Sequence, residues 1–363
     1  MIYLPFDVYP LLRPFLFLFD PEDAHKLALF CLKWGVIPTR KVHKDSVLRT
    51  TFCGIDFDHP IGLGAGFDKQ AEIIKSIFQL GFSFAEVGGV TPKPQPGNPR
   101  PRMFRLKESK ALINRFNLNN PGFDVFQRRL QAWHKKKTGE KNRPVLGVNI
   151  AKGDNCTDDA EAYILGMKKL APYVQFVTLN VSCPNEQCAR RLEGHDQLKE
   201  LLHRVKEAHN ALGIKPLLFI KISPDQTEQQ AKDVAEVALS SGIDGLIVAN
   251  GTASRPASMT NPVAKERGGL SGKPLFEMST KLLGTLYQLT EGKIPLIGCG
   301  GVFTGADAYK KIRAGATLVQ IYTGMIFEGS AIVSSVTKEL AALLKRDGFS
   351  CVNDAVGADF RKG

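Results

Sequence analysis

The sequence predicts an α/β chain: a (β/α)8 barrel of the TIM type behind an N-terminal helical extension. Three observations lead there. From about residue 60, eight short apolar runs alternate with longer amphipathic stretches. Polar residues gather at the ends of those runs, where the catalytic mouth of such a barrel lies. A glycine pair, Gly300 and Gly301, ends the seventh run, a position at which barrels often hold phosphate groups. An open doubly wound sheet is the alternative that the same alternation allows.

The chain starts "MIYLPFDVYPLLRPFLFLFD", broken by Pro5, Pro10 and Pro14, without a basic cluster or a small-residue cleavage site. It therefore reads as mature protein and not as a signal peptide. In "DPEDAHKLALFCLKWG", Asp20 is placed to cap a helix with Pro21 at its first position and acids in its first turn. Leu27, Ala28, Cys31 and Trp34 form the apolar face of that helix. The face fits either the barrel wall or a membrane interface, as part of an amphipathic pair with the preceding apolar stretch. The division between this segment (1–45) and the barrel (46–363) is set near residue 45.

The eight runs are "IGLGAG" (61–66), "FAEVGGV" (84–90), "VLGVNI" (145–150), "FVTLNV" (176–181), "LLFIKI" (217–222), "GLIVAN" (245–250), "PLIGCGG" (295–301) and "LVQIYTG" (318–324). Between them lie helical patterns such as residues 226–242, where Ala231, Val234, Ala235 and Ala238 share a face. After the second run the gap is too long for one helix. Its proline-rich start, Pro92 to Pro101, and "NRFNLNNPG" predict an inserted loop with short extended segments, then a helix near 123–137.

Composition narrows the class. With 43% hydrophobic and 23% charged residues the chain is neither disordered nor fibrous, and no apolar run approaches the roughly 20 residues of a membrane span. The net charge of +12 is concentrated partly in 135–141 and 93–105. No aromatics interleave those lysines, so a nucleic-acid groove is disfavoured and a solvated basic face is the simpler reading. The seven cysteines show no paired C-x-x-C spacing, which argues against structural zinc, and their odd number fits a reducing compartment.

The strand ends carry the chemistry. Asp68 and Lys69 follow the first strand, Asn149 closes the third, and Asn180, Ser182, Cys183 and Asn185 close the fourth. Lys221 lies in the fifth, Asn250 ends the sixth, and the inserted loop adds Asn114, Asn117, Asn119 and Asn120. There are no paired carboxylates for glycoside chemistry and no run of metal ligands. Amides donate and accept together, which suits a planar ligand with carbonyl and ring N–H edges. Lysine serves where negative charge rests or develops. Inside so apolar a strand, Lys221 must meet an anion, snorkel to water, or act as a Schiff-base lysine. Thr304 is placed to cap the helix after the glycine pair. Cys183 suits a general base near neutral pH, with a nucleophile or a buried structural thiol as alternatives.

Together "GLGAGFDK", "EVGGVTPKPQPGNPRPRMFRL", "LINR", "GVNIAK", "LNVSCPN", "FIKISPD", "RGGLSGKP", "IGCGG" and "VQIYTG" resemble the dihydroorotate dehydrogenases over nearly the whole chain. The N-terminal "DPEDAH" with its helices is similar to the class 2, quinone-using branch. The resemblance implies an FMN oxidoreductase that converts dihydroorotate to orotate in pyrimidine synthesis. Its implied FMN contacts are Ala65, Gly66, Lys69, Gly89, Asn149, Asn180, Lys221, Ala249, Gly272, Gly301, Tyr322 and Thr323. Lys69, Asn114, Asn180, Asn185, Asn250 and Gly251 would hold the substrate, Cys183 would be the base, and Lys221 would stabilise charge on the reduced ring. His25 and Arg105 match positions at a quinone entrance. The implied location is a peripheral one, on the cytoplasmic side of a bacterial inner membrane or on a mitochondrial inner membrane. No nucleic-acid partner and no metal are implied.

This chain departs from the class 2 pattern in four places: cysteine where serine is usual at 183, "NRFNLNN" at 114–120, Gly89 and Ala249 in place of hydroxyl residues, and "NEQCAR" after the base. Alternatives on the same fold are a fumarate-using enzyme, a tRNA dihydrouridine synthase-like reductase and a non-catalytic flavoprotein.

Overall fold

Eight parallel strands close into a barrel in chain order, the eighth pairing with the first, so the open sheet is excluded. They are Ile61–Leu63, Phe84–Val90, Val145–Ile150, Phe176–Asn180, Leu217–Ile222, Gly245–Val248, Leu296–Cys299 and Ala316–Ile321. This computed structural model describes residues 2–4, 6–137, 144–153, 158–182 and 194–361. Each predicted run overlaps a strand, but the sixth and seventh strands stop short of the polar ends of their runs. Asn250 and the Gly300–Gly301 pair thus belong to loops, and "YTG" leads into the helix Thr323–Glu328.

The helix predicted over 226–242 spans Glu228–Ser241, opened by a Thr227–Gln230 capping box and closed by Gly242 in the left-handed conformation. Its buried residues include the four assigned to one face from their spacing.

The amino end of the barrel is plugged by aromatic rings. Phe84, Phe176 and Phe219 point inward and meet Phe52 and Phe57 of a hairpin, Thr50–Phe52 with Ile55–Phe57. Glycines opposite make the room: a Cβ at Gly147 would stand 1.9 Å from the Phe176 ring, and one at Gly62 2.4 Å from Phe84. With that end sealed, the cavity can open only at the carboxyl end.

The insertion after the second strand forms Met103–Leu106 and Ala111–Asn114, which pair antiparallel with each other, and Ala111–Asn114 also pairs antiparallel with Gly269–Gly272. This small sheet stands over the mouth. The helix that follows is Gly122–Lys137.

The N-terminal helices are Tyr9–Leu16 and Pro21–Lys33. Asp20 caps the second by accepting from the N–H groups of Glu22 and Asp23, with Pro21 at its first position, as the sequence predicts. Of the expected face, Leu27, Ala28 and Cys31 line a space between this helix and the barrel, beside the buried Leu32, whereas Trp34 is 69% exposed. The helix also docks through its acids: Arg102 takes Glu22, and Arg100 takes Asp20 and Asp23. Part of the 93–105 basic cluster is therefore spent on internal ion pairs. Leu11, Phe15, Leu18, Phe19 and Phe30 all project to solvent from this one region.

Candidate active site

A cavity of about 980 Å3 fills the carboxyl end of the barrel beneath the inserted sheet. The strand register carries polar groups to one level: Asn180 is paired with Lys221, and Asn149 with Thr178. Asn149, Asn180 and Lys221 are all buried.

The asparagines form a directed row. Asn250 Nδ2 donates to Asn180 Oδ1 at 3.3 Å, and Asn180 Nδ2 donates to Asn149 Oδ1 at 3.1 Å. Asn149 Nδ2 then donates to Glu86 Oε1 at 2.7 Å. Ser182 braces the row, its hydroxyl donating to the Lys221 carbonyl at 2.8 Å while its own carbonyl accepts from Asn250 Nδ2. Lys221 Nζ faces Glu86 Oε2 at 3.6 Å. Burial alone would push this ammonium down, but the Glu86 charge outweighs it and the group ends above its usual range. Of the choices that the sequence left open for Lys221, the anionic partner is the one found.

Lys69 lies across the cavity, 3.8 Å above the Phe116 ring, and donates to Asn119 Oδ1 at 2.9 Å. Lys69 and Lys221 are the charged residues of the lining, and no carboxylate faces the space, among the described residues.

At the far end three backbone segments converge. Gly272 lies against Thr323, whose hydroxyl donates to Ser271 Oγ at 2.8 Å. A Cβ at Gly324 would stand 2.3 Å from the Val302 carbonyl, and one at Gly301 would strike Phe276. Side-chain-free backbone and two hydroxyls therefore face one corner of the cavity, the chemistry of a phosphate seat. The helix capped by Thr304 is not this seat. Its N3 residue Asp307 and Glu339 already occupy the N–H groups of 303–305.

All the described residues that the resemblance implies for cofactor and substrate line this one cavity: Ala65, Gly66, Lys69, Gly89, Asn114, Asn149, Asn180, Lys221, Ala249, Asn250, Gly251, Gly272, Gly301, Tyr322 and Thr323. Cys183 and Asn185 lie outside the described residues. Two expectations are corrected. Asp68 is buried and accepts from the N–H groups of Glu72 and Ile73, so it shapes a turn and does not face the mouth. Asn120 is likewise consumed by Thr91, Leu118 and Gly122. Sequence reasoning missed Glu86 and Gln320, which meet under the cavity with Gln320 Nε2 donating to Glu86 at 2.9 Å. The signal for Glu86 was present, since an acid inside "FAEVGGV" needs a partner as much as Lys221 does.

A second cavity, of about 1150 Å3, runs between the N-terminal helices and the barrel. Its lining is apolar apart from a few groups, among them Tyr9, His25 and Arg105. Burial, with Lys69 nearby, pushes His25 down to about 4, so its ring is neutral at pH 7. The Arg105 guanidinium lies 4.2 Å from the Phe17 ring centroid and donates to the Phe17 carbonyl at 3.3 Å. The two cavities share walls at adjacent residues: Gly66 and Gly324 line the first, Phe67 and Met325 the second.

Comparison with known proteins agrees with this geometry. The family model described as "Dihydroorotate dehydrogenase" matches residues 47–344. A protein of Azorhizobium caulinodans named "Dihydroorotate dehydrogenase (quinone)" is 46% identical over 98% of this chain and all of its own length. The mitochondrial protein of that name from Arabidopsis thaliana is 46% identical, covering 98% of this chain and 82% of its own. The crystal structure of the Eimeria tenella DHODH in complex with ferulenol superposes with a TM-score of 0.91 at 38% identity, covering 94% of this chain and 96% of its own.

Proposed function

The chain belongs to the dihydroorotate dehydrogenase family, and from that premise we propose how its two cavities divide the work. It is an oxidoreductase that oxidises dihydroorotate and delivers the electrons to a quinone, a step of pyrimidine synthesis. The quinone-using relatives disfavour fumarate as acceptor and an RNA substrate.

FMN is the flavin of this reading: residues 300–302 and 322–324 would hold its phosphate, and Lys221 with Asn149 and Asn180 would line the site of its ring. The residues fit such a group. Gln320 Oε1 is buried on the cavity wall without a partner among the described residues, and a ring N–H would supply one. The two hydroxyls and the bare backbone suit a phosphate dianion. When bound, such a flavin would supply a two-electron carrier between dihydroorotate and the quinone.

The protein's own groups do the rest. Asn114, Asn180, Asn185 and Asn250, with Gly251, match the carbonyl and N–H edges of a planar pyrimidine, and Lys69 answers its carboxylate. Cys183 removes the C5 proton, and its lower intrinsic pKa lets it work at lower pH than a serine would. Lys221, held charged by Glu86, stabilises negative charge that develops above it. Quinone enters by the apolar cavity past His25 and Arg105. The exposed apolar residues of the N-terminal helices rest on a membrane surface, peripherally. Among the described residues no helix is long and apolar enough to cross a membrane.

The observation that carries this reading is the convergence of five asparagines, two lysines and a bare-backbone corner on one cavity. The test is to purify the protein, confirm bound flavin by absorbance, and mix it anaerobically with dihydroorotate. Rapid bleaching, lost in Cys183→Ala and reversed by ubiquinone but not by fumarate, is expected. No bleaching at any pH overturns the substrate, and reoxidation by fumarate overturns the acceptor.

A further inference from the structure

Glu86 is fully buried in the second barrel strand and does not itself line the cavity. It nevertheless gathers most of what lies directly behind it. Oε1 accepts from Asn149 at 2.7 Å. Oε2 accepts from Gln320 Nε2 at 2.9 Å and from the Ala65 N–H at 3.4 Å, and pairs with Lys221 Nζ at 3.6 Å. Four residues that line the cavity thus share a single acid from behind.

Two consequences follow from elementary chemistry. A carboxylate can only accept, so Asn149 must turn its NH2 toward Glu86 and its oxygen toward Asn180. That oxygen takes the Asn180 NH2, which leaves the Asn180 oxygen to take the Asn250 NH2. The direction of the whole amide row therefore starts at Glu86. The second consequence concerns charge. Lys221 is the sole ammonium meeting this acid among the described residues, so the pair is neutral overall and its positive end faces the cavity.

Resting on the flavin reading above, we propose that Glu86 is a positioning residue: it fixes which edge each asparagine offers the substrate and offsets the Lys221 charge that acts on the flavin. A buried acid serving only to satisfy the core would make neither difference.

The test uses the purified flavin-loaded protein and two probes read by absorbance. Sulfite adds reversibly to an oxidised flavin, bleaches it and leaves negative charge on the ring. Orotate perturbs the spectrum of the oxidised flavin without turnover. Glu86→Gln removes one negative charge beside the site, so sulfite should bind roughly tenfold tighter, the scale of one unit charge acting within a partly buried site. That corresponds to a rise in two-electron potential of about 30 mV. The Gln amide can donate where the carboxylate accepted, so the row loses its fixed direction and orotate should bind at least about fivefold more weakly.

Glu86→Asp carries the test if the Gln variant does not fold. It keeps the charge but draws the oxygens back from Asn149, so sulfite affinity should stay within about threefold of wild type while orotate affinity falls. Sulfite and orotate affinities both unchanged in a flavin-loaded Gln variant overturn the proposal, as does unchanged orotate affinity in the Asp variant. A wild-type protein that carries no flavin overturns the proposed function together with this inference, and the two failures are told apart by the absorbance of the purified protein.

Discussion

Arg102 and Glu22 stand 80 residues apart and meet in a two-pronged pair: Nε donates to Oε2 and Nη2 to Oε1, each at 3.0 Å. Arg102 also donates to the Pro96 and Asn98 carbonyls, so one guanidinium ties the proline-rich insertion to the second N-terminal helix. That docking holds the helix whose Ala24, His25 and Ala28 line the second cavity.

Breaking the pair should loosen the quinone path more than the barrel. Arg102→Met is expected to cost about 1–2 kcal/mol, discounted for the solvent that screens the outer edge of the pair. It should raise KM for ubiquinone severalfold while electron transfer to a small soluble dye stays near wild type. Equal losses with both acceptors would place the damage in the barrel.

The same pair has a pH signature. Burial would raise the Glu22 carboxyl, but Arg102 and Lys26 outweigh it and hold it down at about 2. A depressed carboxylate contributes stability that is present above its unfolded value near 4.5 and lost as pH falls toward 2. The Tm difference between wild type and Glu22→Gln should therefore be constant above pH 5 and shrink below it. A difference that grows with acid would contradict this linkage.

Lys311 predicts the opposite sign. It is fully buried, donates to Ser279 Oγ at 2.9 Å and Thr280 Oγ1 at 3.1 Å, and has no carboxylate within ion-pair distance among the described residues. Burial pushes it down to about 7. A lysine whose folded value lies below its unfolded 10.5 penalises folding fully below pH 7, and the penalty fades as pH rises to 10.5. Lys311→Met should stabilise the protein by about 2–4 kcal/mol at pH 6, after allowance for the two lost hydrogen bonds, and by much less at pH 10. Denaturant midpoints at the two pH values decide it.

The base is tested by pH as well. Cys183→Ala should slow flavin bleaching by dihydroorotate roughly a hundredfold to ten-thousandfold with flavin content unchanged. Cys183→Ser should keep measurable bleaching but move the rising limb of the rate profile to higher pH, because a hydroxyl gives up its proton less readily than a thiol. A pH profile that is the same for Cys and Ser would remove residue 183 from the proton transfer.

What the sequence made legible follows from what leaves a local trace. Buried parallel strands are runs of β-branched and aliphatic residues, so "VLGVNI" and "LLFIKI" marked their strands with the ends found in the structure. Polar residues at those ends were placed by the same logic, and Asn149 and Lys221 line the cavity as that logic requires. Asp68 and Asn120 misled because short polar side chains near turns often serve the neighbouring backbone, which spacing alone does not reveal. The phenylalanine plug left no readable pattern, since Phe52 and Phe57 meet Phe219 and Phe84 only through the closed barrel. Glu86 was overlooked for a different reason. Its partners come from four separate segments, and no single stretch of sequence shows them together.

The loop "NRFNLNN" carries the last prediction. Asn117 and Leu118 are consecutive residues in the left-handed region, at φ of 56° and 54°, and both line the cavity. Asparagine is among the non-glycine residues that tolerate this conformation best, so Asn117 holds it at little cost. A β-branched residue cannot do so without strain. Asn117→Gly should leave stability within about 0.5 kcal/mol and orotate affinity within about twofold, whereas Asn117→Val should cost about 1–2 kcal/mol and weaken orotate severalfold. Urea midpoints and orotate titrations of the flavin-loaded variants measure both. If valine is tolerated at 117, the loop does not need its left-handed turn, and the substrate wall at 116–118 must be set by packing against Lys69 and Ala151 instead.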